Sequence, residues 1–273
     1  MLKRYILFLK KYPLITAAFA IVYAMVCIKT IPTETYFQDF ILRTLLCGGM
    51  VFFLYQISGE KTLLSYTNST WYVVKVAMGF WLFALPVGVL GFGMAANGPV
   101  WDNVPLHMLT VFLLYLFVGV FEEMAFRAVI NDAIIYRFRN MKHVFLLSGV
   151  CCSLIFGAAH VIGADLSTPL AVAQAVGKTV QCGVFGLVLL VLYWKTRNIW
   201  ACGVVHGVYD FLLSMSQGVF QSEQVISYVA PDESAKPILI VYGFMTVIEL
   251  LIFLYVWRKV GRKIDFEEIR ENW

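Results

Sequence analysis

Eight stretches of predominantly apolar residues follow one another along this chain, at roughly 12–30, 38–57, 71–95, 105–126, 144–162, 170–193, 199–217 and 237–257. Each is close to the about 20 residues that carry a helix across the hydrocarbon core of a bilayer. The pattern predicts an all-α protein, a polytopic integral membrane helical bundle of about eight transmembrane helices. Nothing marks a second soluble unit, so residues 1–273 read as a single membrane-embedded domain. Composition agrees: 60% of residues are hydrophobic and 14% charged, against about 25% charged in soluble domains.

The net charge of +4 is small, and its basic residues lie between apolar runs. That placement suits anionic lipid and topology and excludes nucleic acid as a partner. Lys3, Arg4, Lys10 and Lys11 precede the first span, and Arg137, Arg139 and Lys142 separate the fourth from the fifth. Lys195 and Arg197 separate the sixth from the seventh, and Arg258, Lys259, Arg262 and Lys263 follow the eighth. The alternate connections hold Glu34, Asp102, Asp165, Glu223, Asp232 and Glu233. By the positive-inside rule both termini are cytoplasmic, which an even number of spans requires. Turn punctuation falls at Pro32, Ser58-Gly59, Asn97-Gly98-Pro99, Thr168-Pro169, Pro231 and Pro237. The basic start resembles a signal peptide, but it runs into a full-length span without a clear cleavage site, so a retained helix is expected. Trp71, Trp101, Trp194, Trp200 and Trp257 fall near span ends, as interfacial anchors do. The six cysteines lack metal-ribbon spacing and read as small buried hydrophobes.

Three polar clusters interrupt the apolar runs: Glu122-Glu123-Met124-Ala125-Phe126-Arg127, Phe156-Gly157-Ala158-Ala159-His160 and His206-Gly207-Val208-Tyr209-Asp210. An ionisable group at bilayer depth costs roughly 2.5–3.5 kcal/mol on insertion scales, so each marks a functional site by default. Residues four apart share a helix face. Glu123 therefore pairs with Arg127, while Glu122 points elsewhere, free to face a cavity as general base or acid. His206 and Asp210 share another face. Gly203 and Gly207 flank it, and Gly157, Ala158 and Ala159 precede His160, so neighbouring helices can approach closely at both histidines. Two assemblies fit these groups. In one, His160, His206 and a carboxylate bind Zn²⁺ with an open water position and Glu122 as base. In the other, without metal, Glu122 and His160 activate water while His206 and residue 210 hold the oxyanion. Both end in attack of water on a carbonyl.

The order Glu-Glu-x-x-x-Arg, Phe-x-x-x-His, His-x-x-x-Asn/Asp resembles the CPBP family of intramembrane proteases, which joins type II CAAX prenyl proteases with bacteriocin-processing and immunity-associated membrane proteins. The matching residues are Glu122, Glu123, Arg127, Phe156, His160, His206 and Asp210, within a motif-bearing core of about 105–215. The resemblance implies an intramembrane endopeptidase acting on a membrane-associated or lipidated peptide. Glu122, His160, His206 and Asp210 would be catalytic, with Glu123, Arg127 and Phe156 in support. One departure stands out: residue 210 is Asp where the prenyl proteases carry Asn. An ionised Asp cannot donate to an oxyanion, so Asp210 must be protonated, orient His206 or ligate a cation.

Two other classes compete. A non-catalytic scaffold or immunity-type protein would use the clusters as ion-paired glue between helices. A proton-coupled transporter would use Glu122, the histidines, Lys178 and Glu249, though no internal repeat supports it. Lys178 shares a face with Gln174 and Gln181, and the simpler reading of these residues with Glu249 is a mutual structural contact. His107 and His143 read as interfacial, and Arg43 and Lys75 as snorkelling cations. Substrate is expected from the cytoplasmic side or laterally between helices.

Overall fold

The computed structural model describes residues 2–64, 66–94, 102–220, 228–230 and 235–272. Among them are helices α1 (Leu2–Lys11), α2 (Pro13–Thr30), α3 (Tyr36–Ser58), α4 (Lys61–Leu64), α5 (Thr70–Met94) and α6 (Val104–Glu123). A π-helical stretch, Met124–Ile130, joins α6 to α7 (Asn131–Phe138). There follow α8 (Val144–Ala159), α9 (Pro169–Thr196), α10 (Ile199–Ser214), α11 (Gln217–Phe220), α12 (Ala235–Lys259) and α13 (Phe266–Asn272). The described residues contain no strand.

All eight expected spans have a helix. Six are long and apolar enough to cross a membrane, and α8 and α10 are shorter apolar helices of 16 residues. At 1.5 Å per residue each of these two is about 24 Å long, short of a ~30 Å core. The histidine clusters sit on these two short helices. The fourth span continues without a break through the π-helical stretch to Phe138, so the basic segment after Arg127 prolongs the span. Leu45, Leu82, Leu90, Leu146, Leu154, Ile240 and Val247 are exposed around the bundle, as a lipid-facing surface demands.

Helix ends are capped locally where the sequence supplies the residue. Thr35 and Gln38 form a capping box at α3, Thr168 accepts from the Ala171 amide ahead of Pro169, and Asn198 accepts from Ala201. Arg197 closes α9 in the left-handed region, φ 54°. In the core, α6 packs against α3 and α10, α5 covers α10, and α9 packs against α8 and α12.

Two polar clusters tie the opposite ends of the bundle. At one, Arg197 reaches Asp132 at 3.2 Å and hydrogen-bonds Thr62, Tyr193 donates to Asp132, and Trp194 donates to Asn131. Trp194 is thus buried, not a lipid-facing anchor, because its indole N–H finds a partner inside. Trp71 and Trp200 are exposed as expected. Trp101, Glu223, Asp232, Glu233, the Asn97-Gly98-Pro99 turn and Pro231 lie outside the described residues. The basic segments around residues 137–142, 195–197 and 258–263 gather at this same end. At the other, Tyr115 donates to Gln217, Gln174 holds both polar groups of the Ala230 backbone, and Tyr242 donates to the Tyr228 carbonyl.

Candidate active site

The site forms where α6 and α10 touch backbone to backbone. A Cβ on Gly207 would lie 2.5 Å from the Leu116 Cα and 2.6 Å from the Tyr115 carbonyl oxygen, and one on Gly203 would lie 2.8 Å from the Val120 Cα. Gly157 likewise presses on the backbone of Thr179 in α9. The close approaches expected at both histidines are therefore present, with α6 and α9 as the partners.

Glu123 and Arg127 pair at 3.3 Å, both fully buried. The guanidinium lies 3.8 Å from the centre of the Phe156 ring, and its Nε donates to the Gly186 carbonyl. A Cβ at residue 186 would collide with that guanidinium and meet the Phe156 ring at 3.0 Å, so glycine makes room for the arginine. The same Glu123 oxygen that meets Arg127 also meets His206 Nδ1 at 2.8 Å. This second role of Glu123 lies between helices 83 positions apart and has no signal in the local spacing.

His206 Nε2 faces two carboxylates, Asp210 at 3.3 Å and Glu122 at 3.8 Å. Glu122 keeps 18% of its side chain accessible and Asp210 25%, whereas His206 keeps 4%. His160 stands just beyond the last residue of α8. Its Nδ1 donates to the Phe156 carbonyl at 2.8 Å, which leaves Nε2 free of that bond. Phe156 packs edge-on against Phe126, His160 and His206, so one ring braces all three clusters.

Glu122, His160, His206 and Asp210 line one cavity of about 290 Å³. Its walls also include Arg43, which pairs with Asp39 at 3.2 Å instead of snorkelling to the surface, because α3 turns that face inward. Lys178 and Tyr228 line it too. Lys178 donates to Gln181 at 2.9 Å, and Gln181 donates to Glu249 at 2.6 Å, with Tyr209 donating to the same Glu249 oxygen. The expected contact among Lys178, Gln181 and Glu249 exists, while Gln174 turns to the Ala230 backbone. Tyr115, Ser214, Gln217 and Tyr228, which also line the cavity, belong to the end of the bundle opposite the basic segments.

For a Zn²⁺ centre the donor set does not fit. Among the described residues no group of three or more His, Cys, Asp or Glu is disposed to hold a metal ion. Both nitrogens of His206 already face carboxylates, and the Phe156 ring packs edge-on against each imidazole. What the arrangement can supply is a solvent-reached carboxylate, a histidine set among three carboxylates, and a second histidine that meets the Cys182 thiol.

Residues 104–212 match the family described as type II CAAX prenyl endopeptidase Rce1-like. That range begins at α6 and ends in α10, so it holds Glu122, His160, His206 and Asp210, while α3 and α12 add Arg43 and Met245 to the cavity wall from outside it. No curated protein and no solved structure matches the chain.

Proposed function

We propose, for a chain that belongs through residues 104–212 to the Rce1-like family of CAAX-type intramembrane proteases, that Glu122 is the general base of peptide-bond hydrolysis. The observation that carries this reading is Glu122 and a buried, doubly held His206 meeting in one cavity inside the helical bundle. The substrate is a membrane-associated peptide. Glu122 takes a proton from water, the water oxygen bonds to the scissile carbonyl carbon, and the carbonyl becomes an oxyanion. His206, oriented through Nδ1 by Glu123, offers Nε2–H to that oxyanion in a site poor in water, where such a donor is strongest. His160 assists in moving the proton. The carbon–nitrogen bond then breaks as the proton passes from Glu122 to the leaving amine. Asp210, 3.3 Å from Nε2, holds that N–H aimed into the cavity in the resting site and gives it up as the oxyanion forms, a role compatible with an ionised carboxylate.

The test is cleavage of a lipidated synthetic peptide by the purified full chain in nanodiscs. Glu122→Gln should lower kcat/KM by about 10²–10⁴ with the unfolding temperature unchanged. Equal cleavage by both proteins would remove Glu122 from the chemistry and favour a scaffold role.

Access follows from the two ends of the bundle. With the basic segments cytoplasmic, the cavity lining extends through Tyr115, Ser214 and Gln217 toward the non-cytoplasmic end, and we place solvent entry there; the sequence alone led to expecting substrate from the cytoplasmic side or laterally between helices. A cysteine at Ser214 should then react with a membrane-impermeant maleimide applied outside intact cells, above the unsubstituted protein. Reaction only from the cytoplasmic side would reverse the orientation.

A further inference from the structure

A second cavity, of about 560 Å³, is a groove on the outside of the bundle and shares no residue with the first. Its floor is α9 at Leu187 and Val191, and its walls are α8 and α12. Leu146, Val150 and Leu154 stand four apart on α8 and are exposed along the outer edge. On the other wall Phe253 stacks on Trp257, and Gly261 leaves room for that indole, which a Cβ at residue 261 would strike. Phe266 of α13 closes one end by packing on Phe145 and Trp194. From Leu146 to Leu154 the groove follows α8 for about 12 Å, close to half of a ~30 Å hydrocarbon core. A helix about 10 Å across would fill about 900 Å³ over that length, so the groove suits a thinner guest, one acyl chain.

Charge is confined to one end of this groove. Lys142 and His143 line it there and are exposed. Among the described residues neither forms an ion pair with a carboxylate. Lys195 follows Trp194 and donates to the Lys263 carbonyl, which brings two more cationic residues to the same end. The acids beside Phe266 are engaged among themselves and with Arg270: Asp265 accepts from the Glu267 and Glu268 amides, and Glu267 pairs with Arg270. A slot of leaflet depth with cations at its membrane-surface end is complementary to a lipid with an anionic headgroup. We propose that the groove binds one anionic phospholipid from the leaflet at the basic end of the bundle. Its phosphate sits at Lys142 and His143, and one acyl chain lies between α8 and α12. This goes beyond the protease reading and does not depend on it. The chain fills the gap between the two helices, so the lipid braces α8, the helix that leads to His160.

The test uses the purified full chain in neutral detergent micelles. The probes are dioleoyl phosphatidylglycerol, which is anionic, and dioleoyl phosphatidylcholine, which carries the same chains without net charge. Native mass spectrometry counts the lipid retained per chain across a titration of each. One phosphatidylglycerol should be retained, with an affinity about fivefold or more above that of phosphatidylcholine, the worth of one cation at a membrane surface. Lys142→Gln combined with His143→Gln, both at exposed positions, should remove that preference. Val150→Trp, also at an exposed position, should fill the groove and weaken both lipids. Equal retention of the two lipids by the unsubstituted chain, a preference that survives the double substitution, or binding indifferent to Val150→Trp would overturn the site. Displacement of phosphatidylglycerol by a farnesylated peptide would overturn it too, by giving the groove to substrate. Dimers that exclude the lipid would give it to a second copy of the chain, with the same consequence. The comparison of the two lipids uses the unsubstituted chain, so it holds whether or not the variants fold.

Discussion

Gly207 offers the sharpest test of the idea that backbone contact between α6 and α10 sets the catalytic geometry. Replacing it by alanine adds one methyl group 2.5 Å from the Leu116 Cα, where ordinary contact begins at 3.4 Å. The obstructing atoms are backbone, so no side-chain rotation relieves them, and the helices must separate by about 0.9 Å. The carboxylates Glu122 and Glu123 ride on α6, and His206 is the residue next to Gly207. Displaced by that amount, the 2.8 Å contact from His206 Nδ1 to Glu123 lengthens beyond hydrogen-bond range. Overpacking of this kind costs about 1–3 kcal/mol of stability, whereas a misplacement near 1 Å at reacting groups can lower the rate about 10²-fold. Gly207→Ala should therefore stay folded in nanodiscs and lose about 10² in kcat/KM, while Gly48→Ala, where a Cβ meets nothing within 4 Å, should lose neither. Thermal unfolding and peptide cleavage, measured on the same preparations, decide it. A folded Gly207→Ala protein with activity within about threefold of the parent, a change well under one 1.4 kcal/mol decade, would refute the claim.

Two further outcomes are expected. Arg127→Met leaves Glu123 buried without its cation and should destabilise the bundle by about 3–5 kcal/mol. Adding Glu123→Gln should recover part of that stability in unfolding measurements but not the activity, because Glu123 also holds His206; recovery of both would mean that Glu123 serves only the arginine. Asp210→Asn keeps an oxygen acceptor towards His206 and should cost no more than about tenfold in kcat/KM, whereas Asp210→Ala, which removes it, should cost about 10²-fold. Equal losses in the two variants would place the importance of Asp210 in its charge and not in orientation.

Much of the site was legible one helix at a time. The four-residue spacing from Glu123 to Arg127 implies their pairing, and the neighbouring position of Glu122 implies that it faces elsewhere, since consecutive side chains diverge by about 100°. Gly203 and Gly207 announce a close neighbour in the same way. The resemblance in residue order also anticipated the family match over 104–212. Less legible was anything that depends on which helix the neighbour is. Arg43, Trp194 and Lys178 each look like ordinary interfacial or structural residues until α3 and α9 turn them inward.

The sequence by itself determined the eight apolar helices, the uneven distribution of basic residues and the faces on which the ionisable groups lie. These follow from hydrophobic length and helical periodicity, both local properties. Tertiary structure alone decided that Glu123 serves Arg127 and His206 at once, that Phe156 braces both histidines, and that the cavity lining runs toward the end of the bundle opposite the basic segments. The π-helical stretch after Glu123 illustrates the reason. Its wider i→i+5 turns rotate every later residue relative to an α-helical projection, and backbone contact across glycines, not spacing along one chain, fixes the distances at which the carboxylates and imidazoles meet.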